Sequence, residues 1–168
     1  MNKAQGIFRR LALVLGVFAA NFAVDRVTKI LAAAFLKGKP AIRFLNDLMI
    51  LKYAENNGAF LSMGAEWPPL LKYSLLLGIP IILCLAGLAY CLFARQNALR
   101  IGLLVTIIAG GISNLIDRLL FDFNVVDFLN FGIGNLRTGI LNVADLSITF
   151  GAIALVLVEM RAGKTSKA

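Results

Sequence analysis

Residues 11–36 read LALVLGVFAANFAVDRVTKILAAAFL, and this stretch decides the fold. At about 1.5 Å rise per residue it is long enough to cross a hydrocarbon core roughly 30 Å thick. Yet it carries Asn21, Asp25 and Lys29 at four-residue spacing, which places three polar groups on one helix face. Ionisable groups at membrane depth cost a few kcal/mol each, and they face a bundle interior or water rather than lipid. One span has no interior, so the stretch predicts partner helices.

Three further segments qualify: 70–94, 101–121 and 140–160. Four crossings put both termini on one side, joined there by the link 95–100. Basic residues gather at those places, with Arg9 and Arg10, then Arg95 and Arg100, then Arg161, Lys164 and Lys167. By the positive-inside rule that side is cytoplasmic. The start, with Lys3, Arg9 and Arg10 before an apolar run, has the form of a secretory signal peptide. Because the run continues through DRVTKILAAAFL without a turn, it reads as an uncleaved first span.

Composition agrees with a membrane protein. Of 168 residues, 60% are hydrophobic and 15% charged, against about a quarter charged in soluble domains, and the mean hydropathy is +0.84. The net charge of +8 would suit nucleic acid only if the basic residues formed one polar face. They punctuate apolar spans instead, so no nucleic-acid partner is expected. Cys84 and Cys91, seven residues apart on one predicted helix, are roughly 10 Å apart and cannot bridge. The chain has no histidine, which excludes a His general base and a His-ligated zinc site.

The predicted architecture is a mainly α membrane protein: a single domain over 1–168, four transmembrane helices, and a small β-rich segment at about 40–66. That segment contains IRFLNDLMILKYAENNGAFLSMG, whose β-branched and aromatic residues predict short strands and whose Asn-Asn-Gly predicts a tight turn. Trp67, Pro68 and Pro69 mark the interface and the start of the second helix. Gly87, Gly110 and Gly111 read as close helix packing. Residues 122–139 form a second outer connection.

Alternating helix direction brings the polar residues of the spans to one level. Asp25 and Lys29 lie at the outward end of the first helix, and Asn114, Asp117 and Arg118 at the outward end of the third. Asn142 and Asp145, three residues apart, lie at the start of the fourth. Two carboxylates held close together cannot both ionise cheaply, so one keeps a proton and the pair can supply an acid and a base for hydrolysis. On residues alone Asp127 is an ordinary loop acid, Asp25 and Lys29 an ion pair, and Asp117 a packing residue beside Arg118. Lys29 with Ser62 would make a Ser-Lys dyad, but that leaves Asp127 and Asp145 without a role.

Five blocks in order, DRVTK, NNGAFLS, GGISNLIDR, NVVDF and LNVAD, resemble the signature segments of the lipoprotein signal peptidase (signal peptidase II) family across nearly the whole chain. The resemblance implies an intramembrane aspartic endopeptidase that removes the signal peptide from diacylglyceryl-modified bacterial prolipoproteins, cutting before the lipidated cysteine. It singles out Asp127 and Asp145 as the catalytic pair from nine acids. It implies support or substrate binding by Asp25, Lys29, Asn56, Gly58, Asn114, Arg118 and Asn142, with no metal and no cofactor.

It also implies a small β-cradle on the outer leaflet between helices one and two, a site near the outer face of the bacterial inner membrane, and inhibition by globomycin. Expected partners are the prolipoprotein and membrane lipid, with the chain itself a monomer. The sequence departs from the family pattern in LRTGILN, which has neither the usual aromatic residue nor the proline, in Leu141 and Leu146, and in Phe60-Leu61. Two other readings stay open: a small proton-coupled carrier, and an inactive lipid- or peptide-binding paralogue. A carrier needs polar groups on both faces, and the inner half of each span is apolar.

Overall fold

The computed structural model describes residues 3–59, 63–94 and 96–165. Ser62, Phe60, Leu61, Arg95 and Lys167 lie outside the described residues. In chain order the elements are α1 (Lys3–Leu36), β1 (Ile42–Phe44), β2 (Met49–Asn56), α2 (Pro69–Tyr73), a π-helical turn (Ser74–Gly78) and α3 (Ile79–Phe93). Then come α4 (Ala98–Leu120), β3 (Val125–Ile133), β4 (Leu136–Arg137) and α5 (Val143–Thr165). Four helical stretches are long and apolar enough to cross a membrane: Gln5–Leu36, Pro69–Phe93, Ala98–Leu120 and Val143–Gly163. The protein is a multi-pass membrane protein. Leu15, Ile30, Phe35, Ile82 and Phe93 stand exposed on its flanks, a surface that only lipid would cover favourably.

The second span is one helix with a fault. Pro80 has no N–H to give to the carbonyl of Leu76, so the ladder must rearrange there. The rearrangement is the π turn, closed by Ile79 N–H donating to the Ser74 carbonyl. The span opens as expected at Pro69, the first residue of α2. At its other end Arg10 of α1 donates to the Cys91 carbonyl at 2.7 Å and to that of Ala94, satisfying orphan acceptors at the C-terminus of α3.

α4 is the central helix. Ile101, Val105, Ile108 and Leu115 are buried at three- to seven-residue intervals along it, and Val14, Cys91, Ile101, Val105 and Ile108 form one apolar cluster. Gly110 makes the α4–α5 crossing close: a Cβ there would lie 2.6 Å from the Ala144 carbonyl oxygen. At Gly87 the same addition meets only the Ile108 Cδ1 tip, at 2.9 Å. Gly110→Ala should therefore lower stability by about 1–3 kcal/mol and Gly87→Ala by clearly less. Thermal unfolding of the two variants in one detergent checks the order.

The sheet departs from expectation. It is antiparallel, in the order β1-β2-β3-β4, and half of it comes from 122–139, the expected outer connection, and not from 40–66 alone. Asp127 is thus on a strand rather than in a loop. The hairpin turn also lies elsewhere: Leu45, Asn46 and Asp47 turn with φ of 51, 53 and 67°, short polar side chains at two of the three positions tolerating that region. Asn-Asn-Gly instead leaves the end of β2, where Asn56 Oδ1 accepts from Gly58 N–H at 3.0 Å. The helices also start elsewhere than expected, α1 at Lys3 rather than Leu11 and α5 at Val143 rather than Ile140.

Candidate active site

Asp145 is placed by the way α5 begins. Asn142 precedes the helix as its N-cap, so it is not on a helix face as its spacing implied. Its Oδ1 accepts from Asp145 N–H at 2.9 Å, and Asp145 Oδ2 accepts from Asn142 N–H at 3.0 Å. This reciprocal pair is a capping box, which satisfies two helix-end donors and fixes the carboxylate's direction. The third donor goes to Asp25 of α1, whose Oδ1 accepts from Ala144 N–H at 2.8 Å. The negative groups sit at the positive end of the α5 dipole.

Asp127 is placed by strand register. Ala54 faces Asp127 and Asn56 faces Val125 across β2 and β3, so Asn56 and Asp127 are diagonal neighbours within reach. Asn56 Nδ2 donates to Asp127 Oδ2 at 3.0 Å, and Asn142 Nδ2 donates to Oδ1 at 2.7 Å. Asn142 therefore holds both carboxylates, Asp127 through its side chain and Asp145 through its backbone. Asp127 is 2% exposed. Burial pushes its carboxyl up to about 6, against the lowering pull of the Asn56 amide and with a smaller rise from the Asp145 charge.

Behind the pair lies a support layer. Asn114 Nδ2 donates to Asp145 Oδ1 at 2.9 Å, while Asn114 Oδ1 accepts from Lys29 Nζ at 2.7 Å. Lys29 gives its other protons to Asp117 Oδ2 at 2.7 Å and Asp25 Oδ2 at 2.8 Å. All three ammonium protons are used, which leaves none for a Ser-Lys dyad. Asp25 and Lys29 are the expected i, i+4 pair, and Asp117 has the expected structural role, although with α1 rather than with Arg118.

Two members of this layer are not among the residues expected from the sequence. Arg26 donates to Asp117 Oδ1 and, at 3.0 Å, to Asp25 Oδ2. Ser113, fully buried, donates to Asp25 Oδ2 at 2.6 Å. The signal for Arg26 was present: two buried acids and one lysine leave an unmatched negative charge, and Arg26 is the cation adjacent to it in sequence. A lone serine in an apolar helix carries no comparable signal.

The two carboxylates line a polar cavity of ≈ 50 Å³ together with Asn56, Asn114, Arg118 and Asn142. That is room for a water molecule, which needs roughly 10–15 Å³ of such space. Arg118 donates to the Gly58 carbonyl at 3.0 Å, and its buried Nε has no partner. Of the residues expected at the site, Asp127, Asp145, Asn56, Asn114, Arg118 and Asn142 line the cavity, Gly58 and Lys29 each touch a lining residue, through Arg118 and Asn114, and Asp25 stands one contact further back, through Lys29. Among the described residues no group of three or more acids or cysteines could hold a metal ion.

Fold and site define a membrane protein that encloses a pair of carboxylates at one end of its helix bundle. Residues 17–161 match the family model described as signal peptidase (SPase) II. The chain is 35% identical over 137 residues to a lipoprotein signal peptidase of Treponema denticola, covering 79% of each chain. It is 31% identical over 163 residues to one of Borrelia hermsii, covering 94% of this chain and 95% of that one. Its fold is similar to a solved bacterial membrane enzyme, with a TM-score of 0.78, 25% identity and coverage of 92% and 91%. A second solved membrane enzyme gives a TM-score of 0.74 at 26% identity, with coverage of 88% and 91%.

The chain belongs to the signal peptidase II family. It is accordingly a peptidase, and its field of action is lipoprotein processing.

Proposed function

We propose that the protein is an aspartic endopeptidase that cuts diacylglyceryl-modified prolipoproteins immediately before the lipidated cysteine, with Asp127 and Asp145 as the catalytic pair. The observation that carries this reading is Asn142, which holds both carboxylates against one water-sized polar cavity. The inner half of the bundle is plugged by the Val14, Cys91, Ile101, Val105 and Ile108 cluster, so a proton relay across the membrane has no path. The basic residues on the termini and the α3–α4 link support a cytoplasmic position for those ends, and with it a site near the outer face of the inner membrane.

Burial favours the neutral form of Asp127, and two carboxylates held against one cavity share a proton. In the productive form that proton sits on Asp127, and Asp145 is the base. Asp145 takes a proton from the cavity water, whose oxygen attacks the scissile carbonyl carbon, while Asp127 protonates the carbonyl oxygen. As the tetrahedral adduct collapses the C–N bond breaks, the proton on Asp145 goes to the leaving amine, and Asp127 takes back a hydroxyl proton as the carbonyl re-forms. Asn56, Asn114 and Asn142 orient the carboxylates without adding charge, and the Arg118 fork can hold a peptide carbonyl.

The active form requires a protonated Asp127, so it is lost as pH rises through the Asp127 value. With that carboxyl at about 6, kcat/KM in detergent should fall on the alkaline side with a midpoint near pH 6, and the paired groups should titrate as a unit. A rate still rising from pH 5 to 9 would contradict the assignment. Globomycin should inhibit competitively against the lipidated substrate; no inhibition at saturating globomycin would count against the pocket.

A further inference from the structure

The sheet carries a second groove that the proposed chemistry does not use. Across the strands Arg43 faces Ile50 and Ile50 faces Asn130, while Arg137 faces Gly132. Directly opposed residues share a face, so these lie in adjoining rows on one side of the sheet. With Lys52 and Ile140 they line a groove of ≈ 390 Å³, in which three of the lining residues are cations and none is acidic. Ile140 also lines the carboxylate cavity. The two spaces therefore adjoin at one side chain.

Arg137 is built into place. A Cβ on Gly132 would overlap the Leu136 carbonyl oxygen and lie 2.6 Å from Arg137 Cα, so only glycine lets the β4 backbone, and Arg137 with it, approach β3 this closely. The guanidinium then returns to Asn130, donating from Nε to Oδ1 at 2.5 Å. Arg43 is offset by Asp47 at 2.7 Å. Lys52 is exposed and makes no ion pair among the described residues.

We infer that this groove receives acidic side chains in the first few residues of the mature lipoprotein, just after the lipidated cysteine. The inference rests on the proposed reaction. A signal peptide brings an apolar core and a basic start, neither of which suits a cationic groove. The lipid-bearing cysteine must sit beside the dyad, and the polypeptide beyond it is the part that leaves the membrane, over Ile140 and along the sheet. Charge complementarity on this path selects acidic residues and makes Lys52 and Arg137 specificity-determining.

The test uses purified full-length protein and three diacylglyceryl-modified prolipopeptides that differ only downstream of the cysteine, with aspartates, asparagines or lysines at the same places. The acidic peptide should show a KM roughly fivefold below the asparagine peptide at low salt, with kcat unchanged and the difference lost at high salt. Lys52→Glu should erase or invert this preference while leaving kcat on the asparagine peptide intact, and Arg137→Gln should weaken it. Equal KM values for all three peptides, or a preference untouched by both variants, would overturn the inference alone. A rate that follows the anionic lipid content of the vesicle, alike for all peptides, would also overturn it and make the groove a headgroup site. No cleavage of any peptide would overturn the proposed reaction, and the inference with it.

Discussion

Asp127→Asn is expected to slow prolipoprotein cleavage by about a thousandfold or more, the upper range for loss of a positioned acid–base group, and to flatten the protein's stability against pH. The two effects share a cause. A carboxyl at about 6 when folded, against an ordinary 3.8, binds its proton more tightly in the native state than in the unfolded chain. Stability is then fully present below the unfolded value and declines as pH rises through 4 to 6. The loss is on the order of 3 kcal/mol, about 1.4 for each pH unit. Asparagine cannot ionise, so the variant should lack this decline. Thermal unfolding in detergent between pH 4 and 8, beside cleavage assays, reads both effects. A variant that keeps the wild-type pH dependence would show that Asp127 is not the titrating group.

Lys29→Met should have the second largest effect, this time on the fold. Asp25, Asp117, Arg26 and Lys29 form two acids and two bases, with Asp25, Asp117 and Lys29 all under 5% exposed. Methionine fills similar space but leaves two buried carboxylates with only Arg26 between them. Breaking one partner out of such a set costs about 3–5 kcal/mol, on the order of 10 °C in Tm for a chain of this size. The activity should fall too, since Asn114 Oδ1 keeps only the longer bond from Asn142 Nδ2, at 3.2 Å, and the amide beside Asp145 is held less firmly; a misplacement of about 1 Å costs roughly a hundredfold. Lys29→Arg keeps the charge and should recover part of the stability. An unchanged Tm in Lys29→Met would contradict the role given to this network.

These two sites show what the sequence could carry. Asp25 and Lys29 were legible because charge inside an apolar span demands a partner, and four-residue spacing names one. Convergence at one end of the bundle followed from counting crossings. Selection of Asp127 and Asp145 needed the resemblance, because composition and topology left several acids equivalent. The strand holding Asp127 was not legible: its partner, β2, is some seventy residues earlier in sequence, so no local pattern announces the pairing. Nor was the capping box, since Asn142 and Asp145 at three-residue spacing fit a helix face as well as a helix start. The π turn came from Pro80, a residue the expected continuous span had absorbed without comment.

The capping box also separates the two aspartates. Asp127 contributes little to the fold beyond its pairing with two amides, whereas Asp145 closes the first turn of α5 through Asn142 N–H. Asp145→Asn should abolish cleavage and in addition cost about 1 kcal/mol, the usual worth of a cap.

The most direct measurement is mass spectrometry of the products formed from a diacylglyceryl-modified prolipoprotein by wild type, Asp127→Asn and Asp145→Asn, each purified as the folded full chain. The account predicts a single cut by wild type, immediately before the lipidated cysteine, and none by either variant. Full cleavage by either variant, or cleavage by wild type of unmodified peptide only, would contradict it.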